Sequence, residues 1–179
     1  MYNLISQNCL SGNIYTNCLK EQFGNPFIWS VIDFNSMLYL IQNWFKINFK
    51  NYELVKDEHW NFSIIIDNNV KVQYVHYKFN PKHKIPTMDS SLDNIGNIYY
   101  YKIWEYIIQK YEERLSRMLD AKKDPIFCIC NFNTIFPDAI YNKEQLEILS
   151  KYKNVRILYG CEHKEPSESA YIFYKTYLK

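Results

Sequence analysis

The chain has 179 residues, of which 47% are apolar and 22% charged. That length suits one domain, and an apolar share this large excludes an intrinsically disordered chain. A net charge of +2 is too small to mark a nucleic-acid surface, so no nucleic-acid partner is expected.

Asn3-Leu4-Ile5-Ser6 reads as a first strand. Polar caps follow at Ser6-Gln7-Asn8-Cys9, and Leu10, Ile14, Cys18 and Leu19 then recur at helical spacing until Gly24-Asn25-Pro26 stops the helix. Phe27-Ile28-Trp29 is an apolar loop. Phe34, Met37, Leu38, Ile41, Trp44, Phe45 and Phe49 mark the clearest amphipathic helix.

Strands are predicted over Phe62 to Ile66 and Val70 to Tyr77, joined by a turn at Asp67-Asn68-Asn69. In the second of these, Val70, Val72, Tyr74 and His76 share one face. Phe79 to Gly96 reads as a long loop, and Asn97 to Lys122 as a long helix. Pro125 to Asn131 is a continuous apolar run suited to a central strand. A short helix over Gln145 to Tyr152, a strand over Asn154 to Tyr159 and an edge strand over Ala170 to Tyr177 complete the order. The expectation is a single α/β domain over 1–179, with a mixed, mostly parallel sheet and helices on both faces.

Met1 to Leu10 lacks a basic segment and a long apolar core, so no secretory signal is read. Gln22 to Phe45 is too interrupted by Pro26, Asp33 and Asn35 for a membrane span. Five cysteines, an odd number, fit reduced thiols and a cytoplasmic location.

Cys9 is the first candidate for chemistry. It stands after a strand at the start of a helix, where helix N-terminal amides favour a thiolate. His76 is the base best placed by order, and Asn131 or Asn133 would orient its ring. Gln7 or Asn8 would donate to an oxyanion. The order Cys, His, Asn is that of papain-like enzymes. The competing reading makes Cys9 a small packed hydrophobe.

Arg114 and Arg117 are two of only three arginines and lie one helical turn apart. They suit a phosphate or carboxylate, the alternative being solvated residues paired with Glu112, Glu113 or Asp120. Cys128-x-Cys130 with Cys161-x-His163 has the ligand types for zinc, but the spacers are too short, and core packing is the preferred reading. No metal and no bound cofactor are expected. Trp29 and Trp60 are aromatic surfaces on which a sugar could stack.

Three segments together resemble a family. They are Ile5 to Tyr15, with the pattern Asn-Cys-x-x-Gly-x-x-Tyr, then Val75-His76-Tyr77, then Tyr111 to Arg117. In this order they resemble uncharacterised bacterial exopolysaccharide-biosynthesis proteins. Pro26-Phe27-Ile28-Trp29 is similar to the Pro-Phe-Asp-Trp box of a related family of papain-like cysteine peptidases, with Ile28 in place of the Asp. The resemblance covers patches of residues 2 to 133. It implies a site at Cys9 and His76, with Tyr15, Trp29 and Tyr77 beside it, and a setting in capsule or surface-glycan assembly. The expected activity is acyl transfer or ester hydrolysis on a sugar, with a small acyl donor such as an acyl-CoA and a sugar or glycan acceptor. A non-catalytic glycan- or nucleotide-sugar-binding or scaffolding module and a peptidase are the alternatives.

Overall fold

A computed structural model describes residues 2–20, 24–56, 62–74 and 95–179, with side chains in 95–103 left aside. The chain forms two sheets. In the first, β1 (Asn3–Ser6), β6 (Pro125–Cys130) and β7 (Val155–Leu158) run parallel in the order β1-β6-β7. In the second, β2 (Val31–Ile32), β3 (Tyr52–Lys56), β4 (Phe62–Ile66) and β5 (Val70–Tyr74) run antiparallel in the order β2-β5-β4-β3. The α/β class holds. In place of one mixed sheet, the parallel and antiparallel pairings are segregated.

Five helices accompany the sheets among the described residues: α1 (Leu10–Asn13), α2 (Phe34–Asn43), α3 (Ile95–Ala121), α4 (Lys143–Leu149) and α5 (Pro166–Tyr177). A wider π-helical segment, Ile14–Leu19, extends α1 and ends at Lys20 in the left-handed region, φ 56°.

Strand alternation explains how the parallel sheet is covered. Leu4, Cys128 and Cys130 point to one face and pack on Leu10, Ile14, Ala170 and Phe173 of α1, its extension and α5. Ile5, Phe127, Ile129, Val155 and Ile157 point to the other face. They join a larger core with Met37 and Leu40 of α2, Leu149 of α4, Tyr111 and Leu115 of α3, and Ile64 and Val72 of the antiparallel sheet. The thiols of Cys128 and Cys130 are therefore packed side chains, and burial pushes both pKa values up. His163 is exposed while Cys161 is buried.

Between β4 and β5 the chain turns at Asp67 and Asn68, both at positive φ (51° and 58°), the conformation that tight hairpins of this hand require. Asp33 caps α2 by accepting from the Ser36 amide at 2.9 Å. Asn142 and Gln145 form a reciprocal capping box on α4.

The edge strand expected over Ala170 to Tyr177 is instead helix α5. Pro166 sits in its first turn, and Ser169, Ala170 and Phe173 are its buried face, a helical spacing. The β-favouring Tyr, Ile and Phe content masked that period. Two strands were not anticipated. β2 has two residues, and β3 buries only Leu54 among Glu53, Val55 and Lys56, so neither shows a strong alternating pattern. The end of the expected strand at Val75 to Tyr77 and the loop from Phe79 lie outside the described residues, except that Ile95 and Gly96 already belong to α3. Among the described residues no helix is long and apolar enough to cross a membrane.

Phe127 is fully buried and meets Trp44 edge-on, ring centres 6.0 Å apart. Phe127→Ala is expected to cost about 3–5 kcal/mol in urea unfolding. Phe45→Ala, at a side chain 85% exposed, is expected to change stability by no more than about 0.5 kcal/mol. Equal effects of the two would contradict this core.

Candidate functional site

The C-terminal ends of β1 and β6 lie side by side, and the chain leaves both into loops. In parallel α/β sheets this edge is where ligands bind. Here it opens into a cavity of about 470 Å³, lined among others by Asn8, Cys9, Trp29, Asn133 and Ser167.

Buried amide side chains build this edge. Gln7 is fully buried. Its Oε1 accepts from the Cys130 amide at 3.2 Å and its Nε2 donates to Asn131 Oδ1 at 3.4 Å. Its carbonyl accepts from the Ile32 amide at 2.9 Å, tying β2 to the end of β1. Asn8 donates from Nδ2 to the Cys130 carbonyl at 2.9 Å and accepts at Oδ1 from the Leu10 amide at 3.1 Å. Asn131 holds Tyr141 at both backbone groups, donating to its carbonyl at 2.6 Å and accepting from its amide at 3.0 Å. The Tyr141 hydroxyl in turn donates to the Ile32 carbonyl at 2.7 Å.

These bonds give the three amides a structural use among the described residues. Gln7, Asn8 and Asn131 join strand ends and clasp the loop from 131 to 141. Each of the three side chains is bonded to the fold through both its oxygen and its nitrogen.

Cys9 lines the cavity at the start of α1, as expected from its position. Its ionisation is opposite to expectation: burial pushes the thiol up to about 11 from an ordinary 9.0. The physical reason is desolvation of the buried thiol. The Leu10 amide is bonded to Asn8 Oδ1, and the Ser11 amide donates to the Ser6 hydroxyl at 3.0 Å. Both first-turn donors are thus bonded to side-chain oxygens. Cys9 packs with Phe136 against Val31 and Ala139.

Trp29 also reaches the cavity. Its backbone is in the left-handed region, φ 59°, an uncommon state for a bulky residue. The surrounding loop is pinned. Asn25 is fully buried, donates to the Leu4 carbonyl at 2.7 Å and accepts from the Phe27 amide at 2.9 Å. The Tyr74 hydroxyl donates to the Pro26 carbonyl at 2.8 Å. Gly12 leaves room for the indole, since a Cβ there would stand 2.6 Å from Trp29 Cε2. The Gly in the Asn-Cys-x-x-Gly pattern and the Trp in the Pro-Phe-Ile-Trp box are thus in contact.

Asn133 is exposed at the cavity, and its amide donates to the Lys164 carbonyl at 3.2 Å. Tyr15 is buried, with its hydroxyl donating to the Tyr2 carbonyl at 2.7 Å and accepting from the Leu4 amide at 2.9 Å. It anchors the π-helical extension of α1 to β1 and is not part of the cavity. Arg114 and Arg117 are also away from its lining. Arg114 donates to the Ile28 carbonyl at 3.4 Å, and both arginines approach Gly24. Arg114 therefore supports the Trp29 loop from behind. His76 and Tyr77, with His59, Trp60 and His83, lie outside the described residues.

Sequence reasoning missed Asn13, Val31, Phe132, Thr134, Ile135, Phe136, Pro166 and Ser167 of the lining. The loop directly after the apolar β6 run was the available signal, because it leaves the ligand-binding edge of a parallel strand.

No family model, no curated protein and no solved structure gives a significant match to the chain.

With its pKa raised to about 11, Cys9 has roughly a hundredfold less thiolate at pH 8 than an ordinary cysteine. Iodoacetamide labelling of Cys9, followed by peptide mass mapping, is expected to be correspondingly slow and to accelerate up to about pH 11. Because the folded pKa exceeds the unfolded one, the associated stability is full below pH 9 and declines as pH rises toward 11. A labelling profile that levels off below pH 8 would contradict this environment.

Proposed function

We propose that the cavity at the β1/β6 edge binds a neutral, hydroxyl-bearing ligand, and that its occupant is a sugar unit of a surface polysaccharide or its precursor. The observation that carries this reading is the lining. Among the described residues it has an indole beside Asn133, Thr134 and Ser167, and no carboxylate, ammonium or guanidinium group. An aromatic face with uncharged amides and hydroxyls matches the alternating apolar and polar faces of a sugar. Asn133 and Ser167 make no side-chain hydrogen bond within the described residues, which leaves them for a ligand. The volume lies within the usual range for a small-molecule pocket, roughly 300–1,000 Å³. The Ile5 to Tyr15 segment, which resembles exopolysaccharide-biosynthesis proteins, contributes Asn8, Cys9 and Asn13 to the lining, and its Gly12 lies against Trp29.

A second reading, acyl transfer through Cys9, is favoured by one observation: the thiol lines this cavity. In it the sulfur attacks the acyl carbonyl, the donor's leaving group departs, and a sugar hydroxyl then takes the acyl group from the sulfur. A thiol this hard to ionise needs a base that removes its proton during the attack. The sequence offers His76 for that task.

Saturation-transfer NMR with a panel of methyl hexosides and N-acetylhexosaminides tests the first reading. At least one is expected to bind, and Trp29→Ala is expected to weaken it about tenfold or more while leaving the circular dichroism spectrum unchanged. Binding by none, or unaltered binding by Trp29→Ala, would overturn it. The second reading predicts an acetyl adduct on Cys9 after p-nitrophenyl acetate treatment, and an unmodified Cys9 removes it.

A further inference from the structure

Two of the five cysteines meet beneath the turn that leads into α5. Parallel pairing sets Cys130, the last residue of β6, opposite Leu158 of β7. Beyond that pair the two segments stay tied, because the Asn133 amide donates to the Lys164 carbonyl at 3.2 Å. Cys161 lies between these ties. Both thiols are free and buried, in the cluster that holds Ala170 and Phe173 of α5. Their side chains are within hydrogen-bonding reach of one another. Cys161 is the buried member of an otherwise exposed turn, with Tyr159, Gly160, Glu162 and His163 around it in solvent. Gly160 is in the left-handed region, φ 74°, and the Lys164 amide closes the turn on the Cys161 carbonyl at 2.9 Å. A short exposed turn of this kind opens at far lower cost than the sheet beneath it.

We propose that Cys130 and Cys161 are a dithiol that closes to a disulfide, a modification site that staples the end of β6 to the turn before α5. The inference is independent of what the cavity binds. The oxidant is a low-molecular-weight disulfide such as oxidised glutathione. Opening of the turn presents Cys161, whose thiolate attacks one glutathione sulfur. The glutathione S–S bond breaks, and the departing glutathione thiolate takes up the proton that Cys161 gave up. Cys130 then loses its proton, and its thiolate attacks the Cys161 sulfur. The second glutathione leaves and takes that proton, so two electrons have passed from the protein sulfurs to glutathione. Ser169 assists the second attack. Its hydroxyl is fully buried, has no other hydrogen-bond partner among the described residues, and favours the thiolate of Cys130. Pro166 and Ser167, which line the cavity, follow directly after the stapled turn. Oxidation therefore fixes the segment that delivers them.

Incubation of the native chain with oxidised glutathione at pH 8 tests the pair. The reaction is quenched in acid, remaining thiols are alkylated with N-ethylmaleimide, and non-reduced peptides are mapped by tandem mass spectrometry, which separates Cys130 from its neighbour Cys128. The expected product is a monomer with the Cys130–Cys161 linkage in about tenfold or greater excess over every other pairing, reversed by dithiothreitol. In the oxidised chain the Lys164 amide is expected to exchange about tenfold more slowly. Five alkylated cysteines, glutathione adducts that fail to close, or a dominant linkage to Cys9, Cys18 or Cys128 would overturn the pair. A Cys130–Cys161 linkage that leaves exchange at Lys164 unchanged would overturn the staple.

Discussion

Gln7 carries the constraint on which the rest of the structure depends. A parallel sheet of three short strands ends abruptly, and each strand end exposes backbone groups that must be satisfied. Gln7 meets this need in three directions at once: to Cys130 on the neighbouring strand, to Asn131 beyond it and to Ile32 of the other sheet. An apolar residue of the same size would leave the Cys130 amide without its Oε1 partner. Net, an unpaired buried amide of this kind costs about 1–3 kcal/mol. The cavity is a consequence of this clamp, because the same bonds that finish the sheet fix where Cys9 and the 131–141 loop emerge.

The Cys9 environment shows how two principles compete. Helix dipoles stabilise anions at a helix start, and desolvation destabilises them. Which one wins depends on whether the first-turn amides face the anion. Here Ser6 and Asn8 take two of them as caps, and the thiol is left with burial as the dominant influence. A nucleophilic role for this sulfur therefore needs a base that takes its proton. A binding role needs nothing of the kind. The indole of Trp29, held over Gly12 in an uncommon backbone state, serves both readings.

Much of the architecture was legible where apolar residues recur at one period. β1, the β4–β5 hairpin, β6, β7 and α2 follow from such patterns. α5 was misread because tyrosine and isoleucine content pointed one way, while Pro166 and the Ser169, Ala170, Phe173 spacing pointed the other. β3 is an edge strand recognisable mainly through its partner β4. At the site, Cys9, Trp29 and Asn133, each singled out in the sequence, line one cavity. The fate of Gln7, Asn8 and Asn131 was hidden, because the bonds from Gln7 and Asn8 that define it reach residues more than 120 positions away. Arg114 was hidden for the same reason, since its partner is a backbone carbonyl of a distant loop.

Amide hydrogen exchange in the native protein and in Gln7→Ala tests the strand-end clamp most directly. The account predicts that the Cys130, Ile32 and Tyr141 amides are protected like core strand amides in the native protein. In Gln7→Ala, protection should fall at Cys130 and Tyr141 by about tenfold or more, while the amides paired between β4 and β5 keep theirs. Fast exchange at these sites in the native protein, or an unchanged pattern in the variant, would contradict it.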